Sequence, residues 1–373
     1  MERDMEYYIR ISGEVMEKNL DRRKELTKEL ADKFMESGKN NICIIASGSS
    51  LNAALTAEWF MNKYLGNTVA VMSPTEYLDY RKEMVGDRFL IVISQSGCST
   101  NIIEAVKDMK EDGVQPAVLT GNLEGDLKEY CDAMIEYGVG NETVDYVTLG
   151  MITLVEFLIL FALEVGKRNG CISEKEYGRI VDDIRTCCGA SGEIYGHSVK
   201  FAERFYEHLL HMDHAILVAD GANMGVIREA ALKFGETLKI PAIYYESEEY
   251  IHGPNMQLTP ESTVFFIDTN NVRYNRIYDV FRATELVTEH VYLVTNKDVP
   301  DSDKIIKVQG DVMNELTPLF TVVPFQYISA HVTREKNHFE CHPLFEEFEK
   351  KVKCKTDDYD QMLEKKIQQA KEE

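Results

Sequence analysis

The chain reads as an α/β protein: two tandem three-layer α/β/α units, each a mainly five-stranded parallel sheet of the flavodoxin-like or Rossmann-like kind. Three observations predict this. Short apolar runs of strand length alternate with helical patterns from Asn41 onward, the order that gives a parallel sheet covered on both faces. The alternation restarts near His214. The offsets also repeat. Ile44-Ile45-Ala46-Ser47-Gly48 lines up with Leu217-Val218-Ala219-Asp220-Gly221, and Gly48 to Glu76-Tyr77 spans 28 residues, as does Gly221 to Glu249-Tyr250. A step of 46 from Gly48 reaches Ser94, and the same step from Gly221 reaches Ile267, each at the end of a third strand. Agreement at three points indicates a duplication.

Residues 1–37 form a charged, helical lead-in with Leu20, Leu26, Leu30 and Phe34 at near-helical spacing. The first domain, 38–190, has strands at Asn41–Ala46, Thr68–Met72, Phe89–Ile93, Ala117–Thr120 and Ala133–Tyr137. Between them the pattern predicts helices at Ser50–Tyr64, with Leu51, Leu55, Trp59 and Phe60 inward, at Thr75–Lys82 and at Ile102–Glu111. Asp145–Lys167 is a long apolar helix and Glu174–Cys187 another. The second domain, 191–335, has strands at Ala215–Ala219, Ala242–Tyr245, Thr263–Ile267, His290–Val294 and Lys304–Val308. Its helices are Met224–Leu238, Tyr274–Thr284 and the apolar Met313–Val332, which reads as helical despite Pro318 and Pro324. A polar tail, 336–373, closes the chain, with Asp357–Glu373 an exposed helix or frayed end.

Composition narrows the function classes. A formal charge of −22 argues against nucleic acid or an anionic membrane as partner, because phosphate backbones are held by clustered Lys and Arg. A small phosphorylated ligand stays compatible, since backbone N–H groups can bind it locally. Eight cysteines without CxxC or metal-ligand spacing predict reduced thiols, no metal and no cofactor. The first residues lack the apolar core of a signal peptide, and Met151–Val165 is interrupted by Thr153, Glu156 and Glu164. The expectation is a cytoplasmic protein.

Ser94-Gln95-Ser96-Gly97-Cys98-Ser99-Thr100 follows a buried strand and opens a helix. Unpaired N–H groups at a helix start, hydroxyl donors and a close backbone approach at Gly97 together make an anion site. Taken alone, the same residues equally suit an N-cap and a tight turn. A second loop, Ser47-Gly48-Ser49-Ser50, stands at an equivalent strand end, and in a doubly wound sheet such loops converge on one crevice. Neither GxGxxG nor GxxxxGK[ST] is present, so a small phosphate ester fits better than a dinucleotide or ATP. In the second half, Lys233 and Glu236 lie i,i+3 on one helix, and His252-Gly253-Pro254 follows. Singly these are a surface ion pair and a turn histidine. Jointly they supply an amine, a carboxylate and an imidazole, the set that ketose–aldose or imine chemistry needs.

Ser94-Gln95-Ser96-Gly97, Lys233-x-x-Glu236 and His252-Gly253-Pro254 resemble the sugar isomerase (SIS) family, in particular the tandem isomerase half of glucosamine-6-phosphate synthases. Gly48-Ser49-Ser50-Leu51-Asn52-Ala53-Ala54-x-Thr56-Ala57 is also similar to fructosamine-6-phosphate deglycases such as the fructoselysine-6-phosphate deglycases. The ending, from Pro318-Leu319-Phe320 to His342-Pro343 and the Lys-Val tail, is similar to both. The resemblance covers residues 35–355 and implies that Ser47, Gly48, Ser49, Ser50, Ser94, Gln95, Ser96 and Ser99 bind the sugar phosphate. It implies a sugar-side position for Glu142, a contact from Lys233 to the open-chain sugar, Glu236 as the proton-transfer base and His252 as the ring-opening histidine. It further implies a homodimer in which that histidine reaches the partner's site, and a tail lysine, here Lys351, that closes over the sugar. Cys98 and Asp145-Tyr146-Val147 depart from the synthase pattern, which has a glutamate and a Val-Ala-Ser stretch there.

Glutamine-dependent synthesis needs an amidohydrolase domain with an N-terminal cysteine, and the residues before Asn41 leave no room for one within this chain. The leading expectation is a deglycase that converts a fructose-amino acid 6-phosphate into hexose 6-phosphate and free amino acid. The alternatives are a glucosamine-6-phosphate isomerase/deaminase and, from another class, a non-catalytic sugar-phosphate sensor. Glu76, Glu142, Asp145, Tyr146 and the run Glu246-Ser247-Glu248-Glu249 are candidate contacts for the amino acid, and charge runs are also ordinary solvated faces.

Overall fold

The computed structural model describes residues 3–269, 276–337 and 345–372. They contain two five-stranded parallel sheets. The first is ordered β2-β1-β3-β4-β5, with β1 Ile42–Ile45, β2 Val69–Met72, β3 Phe89–Ile93, β4 Ala117–Thr120 and β5 Met134–Glu136. The second comprises β6 Ala215–Ala219, β7 Ala242–Glu246, β8 Val264–Asp268, β9 Val291–Thr295 and β10 Ile305–Lys307. Its order, β7-β6-β8-β9-β10, is the first order repeated. Continuous burial along β1, β3 and β4, and along β6, β8 and β9, is what central parallel strands covered on both faces require. The edge strand β7 instead leaves Ile243 and Tyr244 exposed.

The chain divides into two compact units: Met1–Asp4 with Val15–Val181 and Cys341–Glu373, and Met5–Glu14 with Asp182–Glu340. The division therefore falls at Val181, where the sequence suggests 190, and the tail counts with the first unit. The reason is the helix Glu174–Arg204, which runs on past Cys187 through Gly189, Gly192 and Gly196. Ile184, Cys187, Cys188, Ile194 and Phe201 stay buried along it, so the apolar stripe outlasts the helix-weakening glycines.

Two further elements differ from the sequence reading. In the helix Gly48–Tyr64 the buried face is Ala53, Ala54, Thr56, Ala57, Phe60 and Met61, while Trp59 is 53% exposed. Small residues at 53, 54 and 57 let this helix lie close against the helix Leu149–Arg168, which turns Trp59 outward. Leu149–Arg168 has the length and apolarity of a membrane span, yet it is wholly buried inside the first unit. It begins four residues later than Asp145, for a reason that belongs to the site.

Candidate active site

Strands β1 and β3 are neighbours in parallel register from Ile42↔Phe89 to Ile45↔Val92. The strand order reverses between them, so the loops after both open into one crevice at the carboxyl ends of the strands. Gly48 (φ +56°) and Gly97 (φ +68°) take the left-handed conformation there. A Cβ on Gly97 would lie 2.9 Å from Gly125 Cα and 3.1 Å from the Asn122 carbonyl oxygen, so the loop after β4 fits only against glycine.

Ser47 and Ser99 occupy the N-cap positions of the helices Gly48–Tyr64 and Thr100–Glu111, but neither side chain bonds to its own helix. For the loop Ser94–Thr100 the side-chain capping alternative does not hold. Asn101 Nδ2 donates to Ser47 Oγ at 2.8 Å, tying the two loops together. Ser94 Oγ donates to Ser99 Oγ at 3.1 Å, and the Cys98 N–H donates to Ser96 Oγ at 3.2 Å. Ser49, Ser50 and Ser94 are buried beneath the loops. The structure thus brings Ser47–Ser50 and Ser94–Ser99 together as a hydroxyl-rich, uncharged cradle of helix N-termini, a geometry that suits an oxyanion.

Gln95 is fixed from behind. Its Nε2 donates to Glu142, and a Cβ on Gly150 would collide with the Gln95 amide. Glu142 is buried, and its carboxylate accepts the N–H groups of Thr148, Leu149 and Gly150 at 2.9, 2.6 and 3.1 Å. Burial pushes its pKa up, and the N–H donors oppose that shift. With both oxygens engaged, Glu142 caps the helix Leu149–Arg168 and holds Gln95, and this is why residues 145–148 stay outside the helix. Gln95 Oε1 is buried without a hydrogen-bond partner among the described residues, an acceptor available to a ligand hydroxyl.

The positive charge comes from the tail. Lys351 is exposed at the end of the helix Phe345–Lys351. Four residues on, Lys355 Nζ reaches Ser96 Oγ at 2.9 Å and Ser99 Oγ at 3.4 Å. An antiparallel bridge between Ser99 and Lys355 fixes this register. The Thr100 N–H donates to the Cys354 carbonyl at 3.2 Å and the Thr356 N–H to the Cys98 carbonyl at 3.0 Å. The resemblance implied Lys351 as the tail lysine; the lysine that lies on the loop here is Lys355, and the pairing that puts it there is not visible in the tail sequence itself. His342 and Pro343 lie outside the described residues.

In the second unit, Lys233 ends the helix Asn223–Lys233, and a single π turn, Phe234–Leu238, continues it. Lys233 is almost wholly buried; its Nζ lies 2.6 Å from Glu236 Oε2 and 3.6 Å from Glu229 Oε1. Glu229 is fully buried. The surface-pair reading fails on that burial: an ammonium removed from water needs close carboxylates. Glu236 keeps about a third of its side chain exposed, so of the two carboxylates it is the one that can meet a ligand. Sequence reasoning missed Glu229, although its i,i+4 spacing to Lys233 was the available signal. His252 stands exposed after the helix Ser247–Ile251, next to Gly253 at φ +138°. Among the described residues no group of three or more His, Cys, Asp or Glu side chains is placed to hold a metal ion.

Residues 37–163 match the family model for the SIS domain. Over 310 residues the chain is 25% identical to the isomerizing glutamine–fructose-6-phosphate aminotransferase of Haemophilus influenzae, which covers 78% of this chain and 48% of that protein. The chain spans about half the length of the curated relatives it matches. A Clostridium difficile protein proposed to be a phosphosugar isomerase superposes with a TM-score of 0.82 at 22% identity, covering 95% of this chain and 99% of the other. The C-terminal domain of glucosamine-fructose-6-phosphate aminotransferase from Francisella tularensis gives 0.74 at 20% identity, covering 89% and 96%. These superpositions span both sheets.

Proposed function

From a chain that carries a SIS domain over 37–163 and repeats that domain's sheet in its second half, we propose a phosphosugar enzyme of the isomerase type. Its substrate is an aminated ketohexose 6-phosphate, and its activity is that of a fructosamine-6-phosphate deglycase. The observation that carries the reading is Lys355 resting on Ser96 and Ser99. A lysine ammonium over a neutral cradle of hydroxyls and helix N-termini suits a phosphate dianion.

The remaining groups supply the proton chemistry. Glu236 takes a proton from C1 of the amino ketose and returns one to C2, so the ketone becomes a hydroxyl and the C1–N bond an imine. Water then adds at C1, the C–N bond breaks, and the amine leaves with the hexose 6-phosphate as the other product. Lys233, pinned by Glu229 and Glu236, stabilises charge on the sugar oxygen, and His252 assists ring opening. The active species in this reading is a homodimer in which His252 serves the partner's site.

Incubation with fructoselysine 6-phosphate, assayed for glucose 6-phosphate, tests the reaction, with Glu236→Gln as control. Turnover of glucosamine 6-phosphate alone would move the assignment to an isomerase/deaminase. Tight binding of sugar phosphates with no turnover of either would make the protein a sensor. The dimer is tested by mixing inactive Glu236→Gln and His252→Ala proteins. Regain of roughly a quarter of wild-type activity is expected if sites are shared between subunits, and no regain if they are not.

A further inference from the structure

The helix Tyr359–Glu372 turns one face toward the first unit's crevice. Its residues there are Tyr359, Met362 and Lys366, at i, i+3 and i+7. The Tyr359 hydroxyl donates to Asp145 Oδ1 at 3.3 Å. Met362 Sδ lies 3.6 Å from Cys98 Sγ and 3.8 Å from Asn122 Nδ2. Lys366 Nζ donates to the Gly121 carbonyl at 3.2 Å, and Asn141 Nδ2 donates to the Lys366 carbonyl at 3.3 Å. These partners lie in the loops that follow β3, β4 and β5, so the helix roofs the crevice beside the phosphate cradle.

Lys366 is only partly satisfied under that roof. An ammonium carries three donors, and one neutral carbonyl is the single acceptor described for it. No carboxylate lies within ion-pair range of it among the described residues. The charge of Glu142 acts on it without contact, because both Glu142 oxygens are already filled by N–H groups. Burial pulls the Lys366 pKa below its ordinary 10.5, the mark of a cation short of a counter-charge. Lys355 is differently placed. It serves the loop after β3, whereas Lys366 reaches the loop after β4, and Tyr359 and Lys366 are separated by two helical turns, ~10 Å of rise.

We propose that Lys366 is a second anion contact of this site, and that it takes a carboxylate carried by the substituent on the substrate amine while the Ser94–Ser99 loop and Lys355 hold the phosphate. The proposal rests on the fructosamine-6-phosphate reading above and sharpens it to amino-acid conjugates whose carboxylate is free.

Titration calorimetry on the full chain tests it with three probes: the glycine conjugate of fructosamine 6-phosphate, the methylamine conjugate that lacks only the carboxylate, and inorganic phosphate. The wild type is expected to bind the glycine conjugate about 10–100-fold more tightly than the methylamine conjugate, the worth of one charge-assisted contact. Lys366→Ala should abolish that preference, Lys366→Arg should keep most of it, and phosphate affinity should match the wild type in both. Equal wild-type affinity for the two conjugates overturns the proposal. So does an equal loss for both conjugates in Lys366→Ala, which marks a structural role, and so does a loss of phosphate binding, which assigns Lys366 to the phosphate. Hexose 6-phosphate release is assayed in parallel. Preference without release defeats the deglycase reading and leaves Lys366 assigned; release without preference does the reverse.

Discussion

The two sheets share one strand order and end in loops at the same positions, yet the loops do opposite things. After β1 and β3 the first unit presents serines whose hydroxyls leave their own helices uncapped. After β6 and β8 the second unit carries Asp220, Asn223, Asp268 and Thr269, and it engages the last three internally. Asn223 Nδ2 donates to Thr269 Oγ1 at 2.8 Å and to Thr317 Oγ1 at 3.0 Å, while Thr321 Oγ1 donates to Asn223 Oδ1 at 2.6 Å. Lys297 Nζ pairs with the buried Asp268 at 2.5 Å. A carboxylate where the first unit has a serine, Asp220 against Ser47, repels phosphate, and among the described residues both polar atoms of the Asn223 amide are engaged within the unit. In the reading proposed above, the second unit's reacting groups, Lys233 and Glu236, stand on the helix Asn223–Lys233 and the π turn that follows it.

This division of labour can be broken experimentally, and the largest effect is expected at Glu236. Glu236→Gln should lower hexose release by about 10²–10⁴-fold while leaving sugar-phosphate affinity within about threefold, as steady-state kinetics and calorimetry would read. A comparable loss of affinity would mean that the second unit also binds the phosphate. Next comes Lys297→Ala, which removes the cation paired with the buried Asp268 and should cost about 3–5 kcal/mol of stability, seen as a lower unfolding midpoint in urea. Phosphate affinity should not change, because this cluster is scaffold. Smaller still is Lys355→Ala, expected to weaken binding of a sugar phosphate by about 10–100-fold with no loss of stability. If Lys351→Ala gives the larger loss, the tail register seen in the bridge to Ser99 is not the one that serves the ligand.

Most of the fold was legible because parallel sheets write themselves plainly: buried strands, small loops and repeated offsets of 28 and 46 residues. The cradle was legible for the same reason, since strand ends fix where loops meet. The parts that escaped depend on partners distant in sequence. Glu142 is placed by the N–H groups it accepts from Thr148, Leu149 and Gly150, and nothing near it in the chain reveals that Gln95 leans on it. Lys355 is set on the Ser94–Ser99 loop by strand pairing with Ser99, about 250 positions away in the sequence. Trp59 faces outward because Ala53 and Ala57 win the closer packing, a contest that apolar spacing alone does not resolve.

The smallest predicted effect separates the units by pH. In the second unit His208 stacks on His290 at 3.6 Å and accepts or donates to Thr263 Oγ1 at 3.0 Å. Burial and the neighbouring His290 push its pKa down from 6.5 to about 4. Its unfolded form therefore binds more protons in that window, and the stability it contributes is present above pH 6.5 and lost as pH falls toward 4. In the first unit burial raises the carboxyls of Glu142 and Glu156. These groups bind more protons when folded, so their contribution is present at low pH and lost as pH rises. Acid should then weaken the second unit while sparing the first. The single tryptophan, Trp59, belongs to the first unit and reports on it alone, whereas backbone circular dichroism reports on both. Between pH 7 and 5 the dichroism midpoint in urea should fall further than the Trp59 fluorescence midpoint, and His208→Phe should bring the two back together. If the midpoints move in step in the wild type, the units unfold as one, and the contrast between them is one of chemistry without independent stability.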